Sequence, residues 1–531
     1  MKKTFLITAM LLNCLNFISA QDEISAPVLI ENFAPVGDFL YDLYDDKHAE
    51  LIGATHELSG NVTVPGNIEH NGNQYDVTVV SGLSNVFSYN DAEGKYESVG
   101  TYNRDYTNVT SITFSDNIER IVDRNILYFN HCNVINIPKT VTYISPDTYQ
   151  LHSNQSGYTD NVRGDKIVPY VYPGAALFFN DITFNVAQDN NTYTSVDGVL
   201  FDKDMKTLIR CPKGKEGIYV VPNGVERIED CAFFGCFMLT KIILPESVRI
   251  LGSPGQYYYD CCCFYHCLML QDINIPEGVE RIGFNAFRNC CNLTTLHLPS
   301  TLKYFDTSAI SGNGMKISNI NWSNCSLEIL MINGTLYGSD FTVSLPKSIK
   351  SIKKPEDYSY TLSMYGNDCT IPESLIIPAT LEECEANLIS NGSITDWSSH
   401  LSPLKDLYAL SETPLDISEG FFGYDRKVIQ NQNYMTSKAA SYEEVFPQTW
   451  ADQCTLYVPN NSIDAYKTHS VWGKFPTIVG LSPEEIDVIT SVNKVKSPTI
   501  SNHDRVYNLA GQKFATPSKG IYIRNGKKII R

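Results

Sequence analysis

The sequence lacks the motifs that mark the common classes of enzyme, membrane-spanning protein and nucleic-acid-binding protein. No HExxH, Walker loop, GxSxG or GxGxxG occurs in its 531 residues, and no spacing singles out two carboxylates as a glycosidase pair. After residue 20 no apolar run reaches the roughly 18 residues of a membrane-spanning helix. Acidic residues outnumber basic ones by 59 to 41, and the net charge of −18 repels nucleic acid and anionic lipid. We therefore expect a soluble, non-enzymatic protein with no cofactor and no nucleic-acid partner.

Metal-binding patterns are also missing, although the chain has 15 cysteines. Pairs at zinc-finger spacing do not occur, and the adjacent side chains of Cys261–Cys263 diverge rather than converge on one ion. The acidic turn Asp202–Asp204 lacks the third ligand, the glycine and the closing glutamate of a calcium loop. The sequence predicts an ordinary hairpin turn there and no metal site.

The first twenty residues have the pattern of an export signal. Lys2 and Lys3 precede an apolar stretch, and Ile18–Ala20 forms an acceptable cleavage site. An alternative is a lipoprotein anchored at Cys14, but Asn13 is a poor fit to a lipobox. Cleavage near Ala20 would leave a secreted or cell-surface protein with 14 cysteines and a net charge of about −20.

A repeat with a period of 23 residues is the strongest positive signal. Cys236, Cys267 and Cys290 each have apolar residues three, six and eight positions later and proline at the ninth. Pro222 and Pro245 are 23 residues apart, and the same spacing recurs from Pro276 to Pro299 and from Ser115 to Pro138. A fixed period of this length indicates a solenoid whose coils bury their apolar faces only when stacked. Alternating apolar residues before each proline predict parallel strands.

The period also suggests where the cysteines lie. Cys132, Cys236, Cys267 and Cys290 each come three residues after a phenylalanine, in a slot that should point inward. Buried cysteine behaves as a small apolar residue, so we favour an interior ladder of reduced thiols. Disulfides between neighbouring turns are the alternative in an exported protein.

The breaks in the period suggest an organisation in five parts. The predicted parts are the signal peptide (1–20), an N-terminal β cap with irregular first coils (21–105), the solenoid (106–480), a linker (481–502) and a C-terminal β segment (503–531). Within the cap, 61–65 and 72–79 are predicted to pair as a hairpin across an Asn-Gly turn. Insertions interrupt the coils near 146–181 and 253–260, and 193–209 reads as strand, polar turn, strand. Large aromatic residues after Tyr457 should plug the open end of the stack.

The repeats resemble the BspA-like leucine-rich repeat proteins of bacterial surfaces. The resemblance is carried by Ala232–Cys236 with Leu239–Ile250, by Ala286–Cys290 with Leu293–Leu302, by the Val196–Phe201 hairpin and by Leu456–Pro459. It covers about 109–480 and implies a curved, mainly β solenoid displayed outside the cell, in a family associated with adhesion to host proteins, other cells or glycans.

The tail resembles a second family, the C-terminal sorting modules of type IX secretion cargo. The carriers are Asn508–Gln512 and Gly520–Ile523. The resemblance implies attachment at the outer membrane through this segment. A terminal β cap is the alternative interpretation of the same residues.

Two groups of residues are candidates for binding. The first is a stripe of outward strand positions that should run across stacked coils, and its members are Thr240, Lys241, Ile243, Gln271, Asp272, Asn274, Thr294, Thr295 and His297. The second is the cluster Tyr257, Tyr258 and Tyr259 in an inserted loop, since tyrosine is enriched at interfaces. The plainer interpretations are solvated sheet for the stripe and tyrosines folded back on the solenoid for the cluster.

These observations lead to one functional hypothesis and two alternatives. The first is an exported adhesin or ligand-binding scaffold for host proteins or other cells. The alternatives are a glycan-capture component of a nutrient-uptake system and a structural envelope protein without a specific ligand.

Overall fold

A computed structural model describes most of the repeat region in segments. The described residues are 26–98, 108–122, 129, 131–145, 181–252, 262–310, 319–320, 325–331, 336–338, 345–353, 363–369, 374–385, 387–389, 404–417, 425–428, 442–445, 448–492 and four short strands after residue 505. The chain forms two compact units, Met1–Thr294 with Ser308–Lys316, and Thr295–Thr307 with Ile317–Arg531. The predicted signal peptide, Cys14, the insertion at 253–260 with its three tyrosines and nearly all of the insertion at 146–181 lie outside the described residues.

The first unit is built from short β-strands. They are β1 Leu29–Val36, β2 Phe39–Tyr44, β3 His48–Ala54, β4 Gly60–Val64, β5 Asn67–His70, β6 Asn73–Val80, β7 Phe87–Asn90, β8 Lys95–Ser98, β9 Val109–Phe114, β10 Arg120–Ile121, β11 Val134–Ile137, β12 Tyr143–Ile144, β13 Thr183–Val186, β14 Tyr193–Val196, β15 Val199–Asp202, β16 Thr207–Arg210, β17 Gly217–Val220, β18 Arg227–Ile228, β19 Leu239–Ile243, β20 Ile250–Leu251, β21 Asp272–Asn274 and β22 Arg281–Ile282.

Successive coils place equivalent strands side by side in parallel sheets. In the sheet β4–β9–β11–β13 one row of aligned side chains consists of Val62, Ile112, Ile135 and Phe184, and all four are buried. The shorter strands β6, β10 and β12 form a second parallel ladder. Each coil therefore supplies apolar side chains to a common interior, as the repeat predicted.

The start of the stack differs from the predicted arrangement. The prediction that 61–65 and 72–79 pair as a hairpin was wrong, because β4 pairs in parallel with β9. Strand β6 pairs instead with β5, across a turn at Asn71 and Gly72, which both have positive φ. Pro65 ends β4, and the short segment after it is long enough to supply the partner strand that the Asn-Gly turn requires. The coil register therefore begins with β4, about fifty residues before Val109. The antiparallel strands β1, β2 and β3 precede this first coil, and β3 pairs with β6.

The polar turn predicted between two strands after residue 193 is confirmed, but a turn at Asp197 and Gly198 divides the first of these strands into β14 and β15. Strands β14, β15 and β16 are antiparallel neighbours, and β16 then pairs in parallel with β18 of the next coil. Asp202 Oδ1 accepts hydrogen bonds from the backbone N–H groups of Lys206 and Thr207, at 2.7 and 2.9 Å. This carboxylate holds the turn between β15 and β16.

The middle of the first unit contains the predicted inward slots. Phe233, Phe264 and Phe287 are fully buried and stack in a row, with ring centroids 5.3 and 5.1 Å apart. Burial of each ring contributes roughly 2–3 kcal/mol to stability. Because equivalent residues of neighbouring coils lie about one strand spacing apart, the same slot repeated in sequence becomes a continuous ladder.

The cysteine slots accompany these rings. Cys132, Cys236, Cys267 and Cys290 are buried free thiols, as the reduced ladder required. The thiols of Cys267 and Cys290 donate to the carbonyls of Phe233 and Phe264, each at 3.2 Å. Burial raises the pKa of the Cys132 thiol to about 11 and that of Cys267 well above its usual value. These cysteines act as small core residues.

The second unit continues with short strands. They are β23 Thr295–Leu296, β24 Tyr304–Asp306, β25 Asn319–Ile320, β26 Ile329–Met331, β27 Leu336–Gly338, β28 Ser351–Lys353, β29 Ser363–Cys369, β30 Ser374–Ile377, β31 Glu383–Cys384, β32 Asn387–Ile389, β33 Asp406–Ala409, β34 Asp425–Val428, β35 Tyr442–Val445, β36 Thr455–Pro459, β37 Thr477–Leu481, β38 Val506–Tyr507, β39 Lys513–Phe514, β40 Ile521–Arg524 and β41 Lys527–Ile530. Among the described residues of this unit the α-helices are α1 Gln448–Ala451, α2 Ile463–Thr468 and α3 Pro483–Val492, and 3-10 turns cover Asn460–Ser462 and Trp472–Lys474. A further 3-10 turn, Thr307–Ile310, begins at the last residue of Thr295–Thr307 and continues into the first unit.

Large aromatic side chains are buried beside strands β36 and β37. Tyr466 of α2 and Trp472 are buried and meet edge to face, 5.5 Å apart. The Trp472 indole N–H donates to the carbonyl of Leu415 at 2.8 Å, and the Tyr466 hydroxyl donates to the carbonyl of Ser411 at 3.0 Å. Both polar groups are therefore satisfied where the rings are buried.

The segment predicted as a linker, 481–502, begins differently. Leu481 ends β37, and 483–492 form helix α3, so the linker prediction was wrong for these residues. Ser482 and Glu485 form a reciprocal capping box, in which the Ser482 N–H donates to Glu485 Oε2 at 2.8 Å and the Glu485 N–H donates to Ser482 Oγ at 3.3 Å. The cap satisfies backbone donors that a polar linker would leave to water.

The C-terminal segment forms the few short strands that its pattern predicted. Their order is β39–β38–β40–β41, and all three pairings are antiparallel.

Candidate binding surface

Apart from Thr294, Thr295 and His297, the predicted stripe lies on or directly beside the strands of the three-stranded parallel sheet β17–β19–β21. Its register aligns Ile218 with Lys241 and Asp272 in one row, and Val220 with Ile243 and Asn274 in a second. Between them, the row of Tyr219, Ile242 and Ile273 turns inward, where Ile242 and Ile273 are buried. Strand alternation thus leaves the first two rows on the outer face.

Lys241 and Asp272 form an ion pair across two coils. The Lys241 ammonium lies 2.5 Å from Asp272 Oδ2, and both side chains are about half exposed. An exposed pair of this kind contributes only about 0–1 kcal/mol, so a ligand could replace either partner at little cost. Gln271, immediately before Asp272, is also exposed.

Two predicted stripe residues serve the sheet itself. The Asn274 amide donates to the carbonyl of Leu244 and accepts from the Leu244 N–H, both at 2.9 Å. Thr240 Oγ1 donates to the carbonyl of Gly217 at 3.1 Å. These contacts tie neighbouring coils together and leave the two side chains less available to a ligand.

The last three stripe residues fall at the boundary between the units. Thr294 is exposed and belongs to the first unit. Thr295 and His297 belong to the second, where Thr295 pairs with Asn319 and the intervening Leu296 is buried. Each unit therefore carries its own share of the predicted stripe.

The sequence prediction missed the apolar edge of this face. Ile218 and Val220 are 58% and 60% exposed, in the same rows as the stripe residues. The sequence did contain the information needed to find these residues, because the 23-residue step from Pro222 to Pro245 aligns Ile218 with Lys241. The uninterrupted apolar run of β17 hid which of its side chains point outward.

A second outward face, on β9, β11 and β13, is uncharged and polar. Asn136 Nδ2 donates to Thr113 Oγ1, and Asn185 Nδ2 donates to Asn136 Oδ1, each at 2.9 Å. Asn61 of β4 similarly accepts hydrogen bonds from Thr110 and Ser111. The amides and hydroxyls thus form ladders along the coil stack that sequence reasoning did not single out.

Several ionisable groups of the first unit are buried. Lys213 is 5% exposed, and burial together with the charge of Arg210 lowers its pKa to about 7. Burial and the charges of Arg288 and Lys213 lower the pKa of His266 to about 3. Arg210 donates to the carbonyls of Cys231 and Phe234, so its guanidinium links the chain at a coil corner.

Two searches limited to the described residues complete the description of the surface. In these segments no three His, Cys, Asp or Glu side chains come close enough to hold a metal ion. None of the helices seen there is long and apolar enough to cross a membrane.

The fold and this face define a leucine-rich repeat protein with parallel stacked coils. The sequence profile of the BspA type leucine rich repeat region matches six times, over residues 87–157, 217–321 and 259–395. The match supports the resemblance for the motifs within these regions, Ala232–Cys236 with Leu239–Ile250 and Ala286–Cys290 with Leu293–Leu302. Val196–Phe201 and Leu456–Pro459 lie outside the matched residues.

Several solved structures share similarity with the chain. A leucine rich cell surface protein from Faecalibacterium prausnitzii is 17% identical, covers 63% of this chain and 97% of its own, and has a TM-score of 0.29. A leucine-rich repeat protein from Bacteroides ovatus is 17% identical over 71% of this chain and 73% of its own, with a TM-score of 0.34. The pneumococcal vaccine antigen PcpA is 18% identical over 67% of this chain and 94% of its own, with a TM-score of 0.30. A search of curated proteins found no significant match.

Proposed function

We propose that the protein is an exported bacterial surface protein that binds a protein ligand, as an adhesin or ligand-binding scaffold for host proteins or other cells. The observation that carries this proposal is the outer face of β17–β19–β21. It presents exposed aliphatic side chains, Ile218 and Val220, beside the half-exposed ion pair of Lys241 and Asp272. The BspA-type repeats and the export-like leader support the same function.

The composition of this face suits a protein partner. Protein interfaces combine an apolar centre with a charged and polar rim, and exposed aliphatic groups gain free energy when a partner covers them. Roughly 25 cal/mol is gained per Å² of apolar area removed from water, so covering even two aliphatic side chains favours binding measurably. Lys241 and Asp272 can select the partner by charge, since their mutual attraction is weak in water.

The proposal is tested with a panel of extracellular-matrix proteins and a glycan array, using the full chain without residues 1–20. We expect saturable binding to a matrix or cell-surface protein. The double variant Ile218→Ser/Val220→Ser should weaken that binding about tenfold, because two aliphatic contacts are lost. A matched control is Ile250→Ser, which replaces a 43% exposed isoleucine on β20 in a different sheet and should leave binding unchanged. Equal losses in both variants, or no protein ligand on the panel, would contradict the proposal.

Glycan capture is the second candidate, and the polar ladder of Asn136 and Asn185 is the observation that favours it. Amides and hydroxyls on a flat face can exchange their mutual hydrogen bonds for those of a sugar. Oligosaccharide binding that Asn185→Ala weakens and Ile218→Ser does not would select this function. No detectable binding on either the matrix-protein panel or the glycan array would favour an envelope protein without a specific ligand.

The tyrosine cluster 257–259 is a further part of the proposed binding surface. Replacing all three tyrosines with alanine should weaken binding while the melting temperature stays nearly unchanged. A large loss of thermal stability would show instead that the rings pack on the solenoid.

Export and surface attachment are also part of the proposal. We expect cleavage near Ala20, which mass spectrometry of the N-terminus of the secreted protein can determine. If 503–531 act as a sorting segment, their deletion should trap the protein in the periplasm. Normal surface display of the deleted protein would leave the terminal-cap interpretation.

A further inference from the structure

A separate groove lies in the second unit, where helix α3 lies beside the outer face of the sheet β30–β33–β36–β37. The register aligns Ile376, Tyr408, Tyr457 and Val479 in one outward row. The adjacent row of Leu375, Leu407 and Leu456 is buried in the core. The outward row is therefore a strip of large side chains that lie outside the buried core.

The two tyrosines form one wall of the groove. Their rings stack at a centroid distance of 4.7 Å and an interplanar angle of 13°. The opposite wall is α3, whose Glu484, Val488 and Ile489 face the rings across a space of about 330 Å³. Val488 is 60% exposed, so the helix leaves its apolar side partly uncovered.

The groove is acidic as well as aromatic. Glu484 accepts hydrogen bonds from its own backbone N–H and from the Ser482 hydroxyl, which lower its pKa and keep it ionised. Asp406 stands two positions before Tyr408 on the same side of β33, and its charge adds to burial in raising the pKa of both tyrosines. None of the described side chains that line the groove is basic.

We propose that this groove binds a lysine or arginine side chain of a partner polypeptide. A cation gains from both features of the lining, because carboxylates attract it and electron-rich tyrosine rings stabilise it by cation–π contact. The aliphatic parts of Leu481, Val488 and Ile489 match the methylene stem that both basic side chains carry. The net charge of −18 draws basic segments toward the protein. The groove belongs to a different unit from Ile218 and Val220, so its occupancy does not depend on the function proposed for that face.

The test measures binding of a fluorescein-labelled peptide that repeats Gly-Ser-Lys four times to the full chain by fluorescence anisotropy. Matched peptides with glutamine or glutamate in place of lysine control for charge. We expect the lysine peptide to bind and the other two not to bind. Replacing Tyr408 and Tyr457 with alanine should weaken binding about tenfold, whereas replacing both with phenylalanine should change it less than about twofold, because the ring faces remain.

The acidic side of the groove is tested separately from the charge of the whole protein. Asp406→Asn/Glu484→Gln should weaken lysine-peptide binding about five- to tenfold. The control Glu382→Gln/Glu412→Gln removes the same charge from two exposed sites in the same unit. Glu485 is left intact in both variants because it caps α3. Circular dichroism and melting temperature show whether each variant is folded.

Four outcomes would overturn the proposal. The first is that the lysine peptide does not bind at millimolar concentration, and the second is that the groove and control carboxylate variants weaken binding equally. The third is that the alanine double variant binds the peptide as the wild type does. The fourth is that a neutral oligosaccharide, and not the peptide, binds in a way that depends on the two tyrosines. Because none involves the face of β17–β19–β21, a negative result here leaves the adhesin proposal standing, and the reverse also holds.

Discussion

Lys213 offers a direct test of how the first unit is packed. Its side chain is 5% exposed and lies against Gly235, where a Cβ would come within 3.4 Å of the lysine Cδ and Cε. Burial and the neighbouring charge of Arg210 lower its pKa to about 7. Lys213→Met keeps most of the apolar stem and removes the ammonium group, so the variant isolates the cost of burying the charge.

The sign of the pH dependence follows from proton binding. In the unfolded chain a lysine has a pKa of roughly 10.4, so between pH 7 and 10 the unfolded state carries a proton that the folded state has lost. The free energy of unfolding should therefore rise with pH in this window and be lowest below pH 7, where folding must bury the charged form. With a folded pKa of about 7, the gain from pH 7 to pH 8 is about 1 kcal/mol. Lys213→Met should lack this gain. Its stability relative to the wild type should therefore be higher at pH 7 than at pH 8.

The assay is urea unfolding at pH 7 and pH 8, followed by far-UV circular dichroism. Tryptophan fluorescence reports a different region, since all four tryptophans follow residue 317. The remaining residues are common to both proteins, so the difference between wild type and variant reports on Lys213. Lys203→Met, at an exposed position, is the control and should show no pH-dependent difference. If the free energies of unfolding of the wild type and Lys213→Met differ by the same amount at both pH values, the argument that Lys213 is buried with a lowered pKa is refuted.

Three further predictions concern the core and the turns. Phe264→Ala should destabilise the first unit by about 3–5 kcal/mol, because Phe264 stacks between two buried rings; Phe264→Leu should cost less, as measured by the same urea titration. Asp202→Ala should cost about 1–2 kcal/mol through loss of two hydrogen bonds to backbone N–H groups, whereas Asp202→Asn should keep most of the stability and added calcium should not change the melting temperature. Iodoacetamide at pH 8 should label the partly exposed Cys325 before the buried Cys267, whose thiol pKa is raised, and rapid labelling of Cys267 in the native protein would contradict its position in the core.

The 23-residue period predicted the inward side chains because stacking forces equivalent residues into one row. Phe233 and Phe264 occupy equivalent positions in two coils, and their rings stack 5.3 Å apart. The cysteine slot follows the same rule, which is why Cys236 and Cys290 could be assigned to the core before the structure was known. A repeated position has one environment, so one argument serves every copy.

Pairing over variable distances could not be predicted in the same way. Tyr408 and Tyr457 are neighbours in the sheet although they are 49 residues apart in sequence, three more than two periods of 23, so the period alone does not align them. Helix α3 was missed because it lies in a segment that is polar as a whole, although Ser482 and Glu485 have the spacing of a capping box. Local cap chemistry, rather than composition, decided the structure of that segment.

The outward positions show why the repeat does not specify a ligand. Asn274 and Val220 lie in the same row, yet the asparagine amide joins two coils through Leu244 whereas Val220 is 60% exposed. Replacing Asn274 would leave the backbone groups of Leu244 without their partners, so the fold constrains this position. Val220 has no such constraint, and its exposed apolar surface costs free energy until a partner covers it. Residues that the sheet requires and residues that remain for a ligand therefore occur within one row, and only the hydrogen bonds distinguish them.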